Sequence, residues 1–240
     1  MLVIVGAGFT GSWDTDLVLA NPGNVPIWAW IGQIPRVPGC LHCPGWERVV
    51  PPNGTTKTAA QEILAFGSPG VRTLYIDPYI VDESGRIATG SDQPTVTARV
   101  VNQARPSQAI ALPVVRYATI QALSPTVLVF PSARRTADSH SNLIVADVSR
   151  ETGAGLSILV EAFSAAGERL GGGNFGISAG GAFSANSTLF LVDVLQTLGV
   201  PALDSGQIRV TKTGGSGLMW GLLATVYDEG RVSVSLGLNP

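Results

Sequence analysis

A seven-residue stretch occurs twice in this chain, and it narrows the available folds more than any other feature. Residues 15–21 read TDLVLAN and residues 141–147 read SNLIVAD. Leu17 matches Leu143 and Ala20 matches Ala146, both at a shift of 126 (143 − 17; 146 − 20). The surrounding segments recur in the same order. VLVF at 127–130 stands where LVIV stands at 2–5, and GLSILVEAF at 155–163 follows SNLIVAD as VPIWAWIGQI at 25–34 follows TDLVLAN. Further on, NFGIS (174–178) answers the VV of 49–50, QIRVT (207–211) answers VRTLYI (71–76), GLLATVY (221–227) answers TVTARVV (95–101), and RVSVSLGL (231–238) answers AIALPVV. A chain of 240 residues holds two such units of about 120 each.

Each unit offers about seven short apolar runs broken by Gly, Pro, Ser and Asn. One short helix is expected per unit, at 55–66 (TTKTAAQEILAF) and at 191–198 (LVDVLQTL). This pattern predicts an all-β chain of two tandem antiparallel β-sandwich domains of Ig-like size, 1–118 and 119–240, joined near 118–124. The strand–helix alternation of a parallel α/β sheet is missing, and so is the Cys…Trp…Cys spacing of immunoglobulin domains. Within the first unit, 15–21 ends in the turn NPGN, and 25–34 is expected to return beside it as a hairpin. Trp28 and Trp30, two apart, then share a face. They either fill the core or, with Trp46, offer flat apolar surfaces to a sugar ring.

Residues 3–11, VIVGAGFTG, match the dinucleotide fingerprint at Gly6, Gly8 and Gly11. That chemistry needs a helix directly after the glycines, so that its N-terminus meets a pyrophosphate. Pro22 and Pro26 oppose a continuous helix there, and no acidic residue stands in 27–33 to hold a ribose. The corresponding PSARR of the second unit has no glycine. A Gly-rich loop without nucleotide is therefore expected at 6–11, and a nucleotide-binding oxidoreductase is the third of three functional readings.

Cys40 and Cys43 flank His42 in a Pro/Gly-rich excursion, 35–54. The spacing admits a redox pair, a zinc half-site or a local disulfide. Zinc lacks a full ligand set, and Pro44 and Gly45 oppose the helix of a redox site. A loop-clamping disulfide is the reading kept, with free thiols as the alternative. Asp77, Asp82, Glu83 and Asp92 are candidate oxygen ligands for calcium, weighed against solvated acidic turns; no other cofactor is expected. His140, in DSHS (138–141), is expected in an exposed loop, because sequence neighbours do not converge as a triad.

Charged residues make up 13% of the chain, the net charge is −2, and only two of the fifteen basic residues are lysines. That excludes the basic footprint of a nucleic-acid binder. No apolar run reaches the length of a bilayer span. Residues 1–5 are too short for a signal-peptide core and have no basic segment, so any export leader lies outside these residues.

WDTDLVLANPGN (13–24), the short helix after it and the doubled unit together resemble a loose group of uncharacterised exported bacterial proteins. Those carry T-D-L-x-L-x-N-P at the first hairpin of repeated β-sandwich domains. The second copy departs from that motif, with Asn142 for Asp16 and Asp147-Val148 for Asn21-Pro22. The resemblance implies a secreted or cell-surface scaffold and supplies no activity. The expected function is a non-enzymatic structural, adhesive or interaction module with a protein or glycan partner. A carbohydrate-binding accessory module using Trp28, Trp30 or Trp46 is the alternative.

Overall fold

A computed structural model describes residues 1–9, 13–33, 45–63, 70–81, 87–88, 95–149, 154–178, 188–228 and 231–238. The described chain is almost entirely antiparallel β structure. It divides into two compact units, Met1–Ala118 and Thr119–Pro240.

In the first unit the strands are β1 (Leu2–Phe9), β2 (Trp13–Asn21), β3 (Ile27–Gly32), β4 (Trp46–Val50), β5 (Gly54–Ala59), β6 (Gly70–Val81), β7 (Ile87–Ala88), β8 (Thr95–Asn102), β9 (Arg105–Leu112) and β10 (Val114–Arg116). One helical turn, α1 (Ala60–Ile63), follows β5, and α2 (Tyr117–Leu123) follows β10. One sheet runs β10-β1-β6-β3-β4 with β7 on β6; the other runs β5-β2-β8-β9. Ile4, Ile27, Ala29, Ile31, Val50, Leu74 and Ile76 of the first sheet are fully buried, as are Leu17 and Leu19 of the second. These side chains give this sandwich-like unit its apolar interior, and β1 is buried on both faces, Val3 and Val5 as well as Leu2 and Ile4. Truncating Leu17 or Leu19 to Ala would cost about 2–5 kcal/mol.

The second unit has β11 (Val127–Thr136), β12 (Ser139–Asp147), β13 (Leu156–Ser164), β14 (Arg169–Ile177), β15 (Thr188–Leu191), the turn α3 (Val194–Thr197), β16 (Leu203–Gly214), β17 (Met219–Tyr227) and β18 (Val232–Leu236). Its order is β14-β13-β16-β11-β12-β17-β18 with β15 on β12. Here β11 and β12 pair at their tips, Arg135 with His140 and Thr136 with Ser139, which joins two half-sheets into one. Both halves feed one core of Leu128, Phe130, Leu143, Val145, Ile158, Val160, Ile208, Val210 and Leu223, closed by Val194 and Leu195 of α3.

Ladder registers match the units strand by strand. Leu2 pairs with Ile76 as Leu128 pairs with Val210, giving offsets of 126 (128 − 2) and 134 (210 − 76). Ile31 pairs with Ile76 as Val160 pairs with Val210, an offset of 129 (160 − 31). Ile27–Val50 becomes Leu156–Ile177, and Leu17–Ala98 becomes Leu143–Leu223, so β4 moves by 127 (177 − 50) and β8 by 125 (223 − 98). Even the short β10 has an echo: Val3–Val115 recurs as the isolated bridge Val129–Leu238. The offsets drift only where loops differ in length, so buried positions stay in phase.

The doubled motif carries the framework of each unit. Gly6, at φ 88, is a bulge where the β1–β6 register slips, and Ser132, at φ 66, is the same bulge 126 residues on (132 − 6). Two residues later the hydroxyl of Thr15 accepts from the Gly8 N–H at 2.9 Å and donates to the Gly8 carbonyl at 3.0 Å. Ser141 does the same to Arg134, at 2.9 and 3.0 Å. Just past each bulge a hydroxyl of the next strand thus bonds both backbone groups of one residue. At the far end Asn21 accepts from the Gly23 N–H and donates to the carbonyls of Val25 and Val50. Asp147 likewise accepts from the Ser149 N–H and also from Leu218 N–H.

Several sequence expectations are corrected. The expected hairpin of 15–21 with 25–34 does not form: β2 pairs with β5 and β8, while β3 pairs with β4 and β6. The NPGN corner, held by Asn21, sends the chain from one sheet to the other. Residues 55–59, expected to be helical, form β5, where Thr56 and Thr58 stand in the ladder to β2; β-branched side chains suit that position better than a helix. Only one helical turn remains, and the same holds at α3. Gly6 to Phe9 lie in β1 rather than in a loop. Asp77-Pro78, expected as a turn, continues β6: Pro78 lies past the end of the ladder to β1 and stands opposite Ala29 of β3. His140 lies half-buried in β12, not in a loop.

Candidate functional site

The sheet register decides which of the candidate residues can act together. Trp28 stands opposite Val49 on one side and Tyr79 on the other, and Trp30 stands opposite Glu47 and Asp77. Cross-strand partners share a face, so these six side chains lie on the face of β3, β4 and β6 that points away from Ile27, Ala29 and Ile31. Trp28 and Tyr79 stack, with ring centroids 6.4 Å apart and planes inclined by 22°. The Tyr79 hydroxyl donates to the Glu47 carboxylate. Asp77 lies 3.8 Å from the amino group of Met1.

Trp46 is not part of this surface. It stands opposite Ile31, on the core side, where its Nε1 donates to the Ile63 carbonyl at 2.7 Å. Arg48 lies 5.5 Å over its ring and reaches Glu62 at 3.1 Å. Trp46 therefore pins α1 to the sheet edge. Trp30 is only 4% exposed, and its indole runs against the backbone of Gly45, where an added Cβ would stand 2.4 Å from the ring. The three tryptophans thus form no common platform. Trp28, half-buried beside the exposed Val49 and Glu47, is the one that faces outward. Tyr79, which sequence reasoning missed, joins it because β6 runs straight through Asp77-Pro78.

This cluster belongs to the first unit alone. By the register offsets, Trp28, Trp30, Glu47 and Asp77 correspond to Ser157, Leu159, Asn174 and Thr211. Chemically the face offers one aromatic surface and the Glu47 carboxylate held by a phenol.

The other candidates disperse. Cys40, His42, Cys43, Asp82, Glu83 and Asp92 lie outside the described residues, as does Gly11. Among the described residues no group of three or more His, Cys, Asp or Glu converges as a metal site. After the glycine motif comes strand β2, not the helix that a pyrophosphate needs. Gly8 is explained by packing, since a Cβ there would stand 2.0 Å from the Gly70 carbonyl oxygen. In 138–141, His140 and Ser141 point to opposite faces of β12, and Ser141 is engaged by Arg134 and by Thr225 at 2.9 Å. Thr136 bonds Asp138 and holds its carboxyl below the ordinary range. An open notch of about 490 Å³ in the second unit is lined by Gly155, Leu156, Ser157, Gly176, Ile177, Ser178, Gly215 and Ser216, none of them ionisable.

Two buried acids remain, Asp14 and Asp16. Asp14 is 4% exposed, and burial pushes its carboxyl above the ordinary aspartate range, against the N–H groups of Gln61 and Thr15 that it accepts from. The Gln61 bond, 3.1 Å long, ties α1 to β2, while the Thr15 bond, 2.7 Å long, lies within β2. Beside it Asp16 meets Lys57 at 3.0 Å and Arg99 at 3.4 Å. Both acids are occupied by the framework. Among the described residues no helix is long and apolar enough to cross a membrane. No family model matches the chain, and no curated protein matches it.

Proposed function

We propose that this chain is a non-catalytic structural or adhesive module of an exported protein, built from two sandwich-like repeats. The observation that carries the reading is the reuse of the motif. Thr15 and Asn21 hold bulge and corner in one unit, and Ser141 and Asp147 hold them in the other. The polar residues of the repeated motif are thus engaged by the frame, as in a spacer or scaffold. The likeness of 13–24 to repeated domains of exported proteins supports the same conclusion. To test it, the purified chain is immobilised and probed with arrays of surface glycans and extracellular proteins, alongside hydrolase and transferase assays. Saturable binding without turnover supports the module; turnover that follows the chain through purification overturns it.

A second reading, carbohydrate binding, draws on the Trp28–Tyr79 stack beside Glu47. An aromatic face with a neighbouring acceptor is suited to a sugar ring. Glycan binding abolished by Trp28→Ala, with the fold intact, would favour this reading over a passive scaffold.

A further inference from the structure

We propose that β14 is a self-association edge, on which a second copy of this chain pairs its own β14 antiparallel about a two-fold axis at Asn174. β14 ends the sheet order of the second unit. Among the described residues, no backbone hydrogen bond other than its ladder to β13 reaches it. From Gly171 to Ile177 that ladder runs without a register shift, opposite 162 down to 156. This run, GGGNFGI, contains no charge and no proline. A regular edge of this kind is a template for another strand.

The other edges of the described chain are guarded. β4, the counterpart of β14, is five residues long and carries Glu47 and Arg48. β5 carries Lys57, β9 carries Arg105 and Pro106, and β10 is three residues long. β15 and β18 have four and five residues. β14 differs from these edges in its run of seven residues, 171–177, free of any such device; its one charge, Arg169, lies before the run and pairs with Glu161 at 2.7 Å.

Its sequence is also self-complementary. With Asn174 opposite Asn174 of the second copy, Phe175 meets Gly173, Gly176 meets Gly172 and Ile177 meets Gly171. Each large side chain faces a glycine, no like charges oppose each other, and the two amides face across the axis as donor and acceptor. The glycines divide in a telling way. Gly171 is required by packing, since a Cβ would stand 2.3 Å from the Leu198 carbonyl oxygen. Gly176 is exposed and has nothing within 4 Å of its Cβ position. A strand-interior glycine weakens the strand and often marks the approach of another backbone. Pairing Gly176 with Gly172 supplies that reason.

The test is sedimentation equilibrium of the full chain, whose monomer mass is 24.9 kDa. The wild type is expected to show a concentration-dependent mass rising to twice that value. Asn174→Lys and Asn174→Asp should each weaken the dimer about fivefold or more, since like charges directly opposite are destabilising. An equimolar mixture of the two variants should restore it, which separates charge opposition from misfolding. Ser233→Lys, on the β18 edge, should leave the dimer constant unchanged. A wild type that stays monomeric up to its solubility limit overturns the proposal. So does a dimer that Asn174→Lys leaves intact, or one that the mixture fails to restore.

Discussion

Thr15→Val separates the hydroxyl of the motif from its bulk. The substitution is nearly isosteric and keeps the buried apolar volume. It removes one bond donated by the Gly8 N–H, at 2.9 Å, and one accepted by the Gly8 carbonyl, at 3.0 Å. Both partners are buried, and Thr15 is fully buried. A net hydrogen bond is worth about 1 kcal/mol, while a buried group left unsatisfied costs about 1–3 kcal/mol. The Gly8 N–H is buried, so the larger figure applies to it, and the total comes to about 2–4 kcal/mol. Thr15→Ser retains the hydroxyl and loses one buried methyl, about 1 kcal/mol. Urea unfolding followed by tryptophan fluorescence and by circular dichroism measures both variants. The expected order is wild type, then Thr15→Ser, then Thr15→Val, with unchanged m-values. Ser141→Ala should destabilise the second unit comparably. If Thr15→Val costs less than Thr15→Ser, the hydroxyl does not hold the bulge and the reasoning fails.

Other substitutions probe the same frame. Ser132→Gly relieves a left-handed backbone and should stabilise the chain by about 1 kcal/mol, whereas Gly6→Ala, at φ 88, should destabilise it by a similar amount; paired thermal melts decide. Asp14 has a native pKa above its unfolded value of 3.8, so the folded state holds its proton longer and stability falls as pH rises from that value through the native pKa. Asp14→Asn keeps an acceptor for Thr15 and Gln61 and should flatten that fall in urea midpoints taken across acidic to neutral pH; an unchanged slope would assign it to another group. Gly45→Ala places a methyl against the Trp30 ring and should cost about 1–3 kcal/mol, with a change in tryptophan emission as the local readout.

How far the sequence reveals this architecture depends on which interactions set each element. The echo of TDLVLAN in SNLIVAD is legible because Leu17, Leu19, Leu143 and Val145 point into cores that tolerate little else. Strand existence follows from the same alternation. Pairing does not: nothing local in NPGNVP says that the next strand joins the other sheet, because that is fixed by Asn21 reaching Val50, 29 residues away. The glycine-rich segments misled for a similar reason. In 6–11 they matched a nucleotide motif, yet Gly6 serves a bulge and Gly8 a close approach to Gly70. In 169–177 they hid strand β14, whose order comes from its ladder to β13 and its packing on Leu198 rather than from strand propensity. At the candidate face, Trp28 and Trp30 were visible as a pair, but Tyr79 and Glu47 join them only through cross-strand register. Cys40 and Cys43 lie outside the described residues, so the disulfide expectation stays as it was.

Native-state hydrogen exchange, read residue by residue by NMR, tests the central claim that one strand framework is built twice. Amides at positions related by the register offsets should show the same alternation of protection, with Gly8 and Arg134 both protected although they sit beyond a bulge. Thr15→Val should release Gly8 and leave Arg134 protected. An alternation out of phase between β2 and β12, or rapid exchange of Arg134 in the wild type, would contradict the shared framework.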